Sequence, residues 1–146
     1  MSIQLVREYL SAFDKGDAVV EFEVSSATVE LAAQAVGTEP ARIAKTLSFQ
    51  NQAGDGCLLV VMAGDAKADN RKFKDQFGFK ARMLPHADAL SYTGHAVGGV
   101  CPFALPPGVP VYLDVSMRRF EVIYPAAGSA NSAVPMTCSE LERCSR

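Results

Sequence analysis

Two short runs separated by a turn restrict this chain more than any other feature. Ile43-Ala44-Lys45-Thr46-Leu47-Ser48-Phe49 alternates with a period of two, while Cys57-Leu58-Leu59-Val60-Val61-Met62-Ala63 is apolar throughout. Between them Asn51-Gln52-Ala53-Gly54-Asp55-Gly56 carries the small and polar residues of a reversal. Alternation marks a strand with two unlike faces, and an unbroken apolar run of this length belongs to a buried strand. The pair is therefore predicted to be a β-hairpin.

Helical spacing brackets the hairpin. Ile3, Val6, Tyr9, Leu10 and Phe13 form one apolar face behind a Ser2 cap, ending at Lys15-Gly16. Val19–Val24 alternates as a half-exposed strand, and a second helix from about Thr28 buries Val29, Ala32, Ala33 and Val36 before Gly37. Pro40 opens a single helical turn. Asp65–Phe79 reads as a polar helix with Phe73 and Phe77 stacked at i and i+4, closed by Gly78. Ala81–Leu84 is a short strand and Pro85–Ser91 a helical turn. Thr93–Pro110 is too rich in glycine and proline for regular structure, which predicts a long ordered loop. Val109–Val115, Glu121–Tyr124 and Ala133–Met136 are further strands, and Thr137-Cys138-Ser139-Glu140 is a capping box that starts a terminal helix. Strands and helices mixed without steady βα alternation predict a single α+β domain over residues 1–146, with a mixed or mostly antiparallel sheet. Neither a dinucleotide fingerprint nor a phosphate-binding P-loop occurs.

Charge narrows the function classes. Lys and Arg total 14 against 16 Asp and Glu, a net charge of −2, which excludes a globally basic nucleic-acid coat. A local patch survives this test: Lys67, Arg71, Lys72, Lys74, Lys80 and Arg82 share residues 65–82 with only Asp65, Asp69 and Asp75. On one helix Lys67, Arg71 and Lys74 would share a face suited to a phosphate backbone, or would be an ordinary solvated face. No window approaches the roughly 18 apolar residues that span a bilayer, and Met1–Asp17 has no secretory pattern, so a cytoplasmic address is expected. Cys57, Cys101, Cys138 and Cys144 contain no C-x-x-C pair, and His86 and His95 have no ligand spacing, so no metal site is expected.

Two segments could carry chemistry. Lys45 shares a strand face with Ile43, Leu47 and Phe49, either snorkelling to water or standing in a cleft where it meets a phosphate or a polarised carbonyl. Gly98-Gly99-Val100-Cys101-Pro102 combines adjacent glycines with a fixed exit, an ordinary turn or a backbone cradle for a carbonyl or oxyanion. His95 and Cys101 are close in sequence but lack a third orienting group that would mark a Cys-His enzyme.

These pieces occur in a characteristic order: Ser26-Ala27-Thr28-Val29-Glu30-Leu31-Ala32-Ala33, Ile43–Leu47, Val61–Asp65, Thr93-Gly94-His95 through Gly98–Pro102, and Tyr112-Leu113-Asp114 through Ile123-Tyr124. From about residue 20 onward the chain resembles the YbaK/EbsC (ProX-type) family of aminoacyl-tRNA editing domains, which includes the editing insertion of bacterial prolyl-tRNA synthetase. The resemblance implies a mixed, mostly antiparallel, strongly bent β-sheet surrounded by helices. It implies a deacylase of mischarged tRNA acting in trans, with a non-catalytic module that binds tRNA or a synthetase as the alternative. It matches Lys45 to the family's functional lysine and Gly98, Gly99, Val100, Cys101 and Pro102 to its G-x-x-x-P loop. Thr28, Thr46, Ala126, Ala127 and Gly128 fall on the substrate side, and Lys67, Arg71 and Lys74 become candidates for tRNA. The implied partners are aminoacyl-tRNA and a synthetase, with neither DNA nor a membrane, and no metal or organic cofactor is needed. Pro125-Ala126-Ala127-Gly128-Ser129 and Ala133 stand where some deacylases carry a small polar residue and an aspartate, so a Cys-tRNA preference is not carried over. A pocket walled by alanines is expected to accept small side chains with overlapping rates.

Overall fold

The computed structural model describes residues 2–25, 28–96 and 98–145; the Ser2 side chain, expected as a cap, and Ser26-Ala27 of the family motif lie outside what it describes. In chain order the elements are α1 (Ser2–Ser11), β1 (Val20–Glu21), α2 (Val29–Val36), β2 (Ile43–Gln50), β3 (Cys57–Ala63), α3 (Asn70–Phe77), α4 (Ala89–Thr93), β4 (Val111–Leu113), β5 (Tyr124–Pro125), β6 (Ser132–Ala133) and α5 (Cys138–Cys144). The predicted hairpin forms with unbroken antiparallel register from Ala44 opposite Ala63 to Gln50 opposite Cys57. Parallel pairings extend it on both sides, giving the order β4-β3-β2-β5, while β1 and β6 form a separate antiparallel ribbon. This is an α+β fold around a mixed sheet.

Both faces of the hairpin are covered, which explains why β3 has no polar side. Ala44, Val61 and Ala63 pack with Ile3, Val6 and Leu10 of α1, Leu141 of α5 and Phe103 of the long loop. On the other face Ile43 meets Ala32 and Ala33 of α2, and Phe49 and Leu58 meet Phe73 of α3. Lys45 lies between these last two clusters, on the face its period-two position predicts.

Caps set the helix ends. Thr28 accepts from Leu31 N–H at 3.1 Å to start α2, and Gly37 closes it in the left-handed region. The capping box at Thr137 and Glu140 starts α5 as the sequence indicates. The helix expected over Asp65–Phe79 is shorter: Asp69 accepts from Lys72 N–H at 2.9 Å and caps a helix that begins at Asn70. Residues before Asp69 instead turn away from β3, with Ala66 N–H bonded to the Ala63 carbonyl. Lys67 therefore precedes α3 and does not share a helical face with Arg71 and Lys74. Other expectations contract as well. The first helix stops at Ser11, and the Val19–Val24 strand is reduced to Val20–Glu21. Ala81–Leu84 contributes a single antiparallel bridge between Phe49 and Met83.

Candidate functional site

A cavity of about 230 Å³ opens where β2 runs between β5 and the 82–84 segment. Residues 43–48 of β2 form one wall, Thr28, Val29 and Ala32 of the α2 end a second, and Gly98 and Val100 a third. Tyr124, Ala126, Ser132 and Ala133 close it from the β5–β6 side, and Met83, Leu84, His86 and Ala89 complete it. The lining is apolar with a few polar groups, the usual character of a small-molecule site.

Lys45 lies on the cavity wall, and its ammonium is held. Nζ donates to the Ala66 carbonyl and, at 3.4 Å, to the Gly64 carbonyl. Gly64 is required there by close packing, since a Cβ would lie 2.0 Å from the Pro40 carbonyl oxygen and 2.7 Å from Val29 Cγ1. Beside it Asp65 makes a two-bond ion pair with Arg119, with Nη1 at 3.0 Å and Nη2 at 2.5 Å. That pairing holds the Asp65 carboxyl below its usual range, and the Lys45 charge adds to the effect. The lysine is thus fixed in direction, the condition for electrostatic preorganisation.

The glycine-proline loop divides its tasks. Gly98, in the left-handed region, and Val100 line the cavity. Gly99, Cys101 and Pro102 are buried and do not line it. Gly99 lies against Gly128 and Ser129 so closely that a Cβ would sit 2.8 Å from three of their backbone atoms. Ala127 and Gly128 are likewise buried outside the cavity lining, whereas Thr28, Thr46 and Ala126 reach it.

Cys101 and His95 meet behind the loop. His95 Nε2 is 2.7 Å from the Phe103 carbonyl oxygen and 3.5 Å from Cys101 Sγ, so Nε2 carries the proton given to the carbonyl. Burial lowers the imidazole pKa and pushes the Cys101 thiol up to about 12. A neutral, fully buried thiol is not a nucleophile. Among the described residues no His, Cys, Asp and Glu side chains gather as a metal-binding group.

The basic segment is attached to the cavity at both ends, through Ala66 at Lys45 and through Met83 on the far wall. Arg7, Lys15, Arg42 and Arg119 each meet a carboxylate, but Lys67, Arg71, Lys72, Lys74, Lys80 and Arg82 make no ion pair among the described residues. Lys67, Arg71 and Lys74 are exposed and lie outside the cavity. His86, noted in the sequence only for its lack of metal-ligand spacing, lines the cavity. So do Met83 and Ser132, which carry no sequence signal because only long-range pairing brings them to β2, and Tyr124, which the sequence marks only as the end of a strand in the family pattern.

The aminoacyl-tRNA editing domain family matches residues 23–144. The chain is 51% identical to the uncharacterized Bacillus subtilis protein YwhH over 145 residues, 99% of this chain and 92% of that protein. A solved structure described as a proposed trans-editing enzyme for prolyl-tRNA synthetase superposes with a TM-score of 0.88 at 30% identity, covering 99% of this chain and 91% of that one. A second, of a hypothetical protein, gives a TM-score of 0.85 at 27% identity, covering 96% and 93%. No helix among the described residues is long and apolar enough to cross a membrane.

Proposed function

This chain belongs to the aminoacyl-tRNA editing domain family, and from that membership we propose that it is a deacylase hydrolysing the ester of mischarged tRNA in trans. The observation that carries the reading is the convergence of Lys45, Gly98 and Val100 on one cavity, from strand and loop segments more than fifty residues apart. The neighbour described as a proposed trans-editing enzyme for prolyl-tRNA synthetase supports the mode of action.

In this reaction water adds to the ester carbonyl, and the bond to the terminal ribose oxygen breaks. The water proton ends on that leaving oxygen. The ester is already activated, so orientation and stabilisation of the developing oxyanion suffice without an enzymic nucleophile. The fixed ammonium of Lys45 supplies positive potential at the terminal phosphate or the carbonyl. Gly98 and Val100 hold the aminoacyl group, while Gly99, Cys101 and Pro102, with Ala127 and Gly128, keep that loop in place. Thr28, Thr46 and Ala126 contact the bound group. Lys67, Arg71 and Lys74, unpaired and exposed, meet the tRNA backbone.

The walls formed by Ala32, Ala44, Ala126 and Ala133 fit small side chains. Ala, Ser, Thr and Cys esters are expected to be removed with overlapping rates and Phe esters to be rejected, because a hydrophobic pocket discriminates one methylene by only about 1–3 kcal/mol. The test is a panel of mischarged tRNAs, with Lys45→Ala expected to slow the best substrate about 100-fold. If no ester is cleaved faster than in buffer, or Lys45→Ala keeps the parent rate, the enzyme reading fails. A second reading, a module that binds tRNA or a synthetase without turnover, draws on the Lys45 ammonium being engaged by the protein's own carbonyls. Tight tRNA binding without cleavage across the panel would favour it.

A further inference from the structure

β2 enters the cavity with part of one edge bare. β5 pairs with Ile43 and Ala44 only, and Pro125 turns its carbonyl away from β2, where it accepts from Val134 N–H at 3.0 Å. Further along, Leu84 N–H bonds to the Ser48 carbonyl at 3.0 Å and Gln50 N–H to the Arg82 carbonyl at 2.8 Å. These two bonds establish the parity of the strand: even-numbered residues of β2 direct N–H and C=O away from β3, and odd-numbered ones direct them toward it. Register with β3 is unbroken throughout, so the parity holds at Thr46. The Thr46 N–H and the Thr46 carbonyl therefore point out of the sheet between β5 and the 82–84 segment, and neither has a hydrogen bond among the described residues; Ser48, one step further, stands opposite Leu84. Thr46 Oγ1 is also buried without a partner. Both residues line the cavity.

Buried main-chain groups are paired in more than about nine cases in ten. Thr46 is half-buried with its hydroxyl oxygen buried and unmet, and its unmet amide and carbonyl face a cavity, where a ligand that displaces water would complete their bonds. That ligand needs a donor and an acceptor spaced as in one residue of an extended chain. The cavity lining has no Asp or Glu among the described residues, so an amine placed there meets a carbonyl rather than a carboxylate. The amine and carbonyl of an aminoacyl ester have this spacing.

We infer that the bare edge of β2 is a main-chain recognition site for the aminoacyl group. The substrate's α-amine donates to the Thr46 carbonyl, and its ester carbonyl accepts from the Thr46 N–H, as one residue of an added antiparallel strand would. The identity of the ligand rests on the deacylase reading; the unpaired edge does not. Recognition through the main chain is indifferent to the side chain, so the edge holds every small amino acid alike and leaves selection to the cavity walls.

Two measurements test this. The first compares alanyl-tRNA with propionyl-tRNA, which keeps the ester and the methyl group but lacks the amine, each rate divided by its rate in buffer. The enhancement is expected to be at least tenfold lower for propionyl-tRNA, and equal enhancements would overturn the inference. The second follows the backbone amide signals of the labelled protein by NMR, with 3′-alanylamido-3′-deoxyadenosine and its propionylamido counterpart as probes. The Thr46 signal is expected to shift with the alanyl probe and much less with the propionyl one. If no ester is cleaved but this shift occurs, the deacylase reading falls and the binding edge stands. If the alanyl probe leaves the Thr46 signal unmoved, the inference is overturned whatever the rates show.

Discussion

Gly99→Ala puts the division of labour in the glycine-proline loop to the test. An added Cβ would lie 2.8 Å from the Gly128 carbonyl carbon and from Ser129 N and Cα. All three are backbone atoms, so no side-chain rotation relieves the contact. Restoring ordinary van der Waals distance requires the loop and the 128–129 segment to separate by about 0.6 Å, an overpacking of the kind that costs about 1–3 kcal/mol. The lower entropy of the unfolded Ala chain enlarges no native contact and offsets the cost by about 0.4–1 kcal/mol. The net loss is about 1–2 kcal/mol, which for a chain of 146 residues lowers Tm by roughly 2–8 °C. Gly98 and Val100, on either side, line the cavity, so the same shift moves the wall that holds the substrate. Misplacement by about 1 Å costs on the order of 100-fold in rate, and a smaller shift is expected to cost at least tenfold. Gly37→Ala is the control: Gly37 has a φ of +75° and open space around it, so Ala there loses about 1–2 kcal/mol of backbone energy without touching the cavity. Thermal melts and deacylation rates below both transitions separate the two effects. A Gly99→Ala protein as stable and as active as the parent would refute the argument.

Two further predictions concern groups away from the cavity lining. Burial holds the His95 pKa below its usual 6.5, so as pH falls through that value the unfolded chain takes a proton that the folded chain refuses, and stability is lost. Asp65 and Glu140, held low by Arg119 and Lys15, add a separate loss only below about pH 4.5. The urea midpoint is therefore expected to fall between pH 7.5 and 5.5 in the parent and to be flat over this range in His95→Gln; equal slopes would remove His95 as the cause. For the basic segment, Arg71→Ala and Lys74→Ala should each lower the slope of log affinity for tRNA against log salt by about 0.7–0.9. An unchanged slope and affinity would return α3 to the solvent.

The sequence by itself determined the hairpin and its caps. Alternation in Ile43–Phe49 and the apolar run Cys57–Ala63 act locally, through which face of a strand is buried, and Thr28, Gly37, Gly78 and Thr137 act through bonds to residues three or four positions away. Lys45 and the Gly98–Pro102 segment were legible for a similar reason, each being a short pattern that departs from its surroundings and that the family resemblance sharpened. Tertiary structure decided the rest. Asp69 outcompeted the longer helical pattern and left Lys67 off α3, because a side chain that meets the free N–H groups sets a helix start more firmly than periodicity does. The loop divided into Gly98 and Val100 on the cavity and Gly99, Cys101 and Pro102 behind it, a distinction set by contact with Gly128 and Ser129 nearly thirty residues later. His86, Met83, Tyr124 and Ser132 reached the cavity only through pairing across the chain. The bare edge at Thr46 has no signature in the sequence at all, since an unpaired strand edge is the absence of a neighbour, and which neighbours a strand lacks depends on where β5 and the 82–84 segment stop.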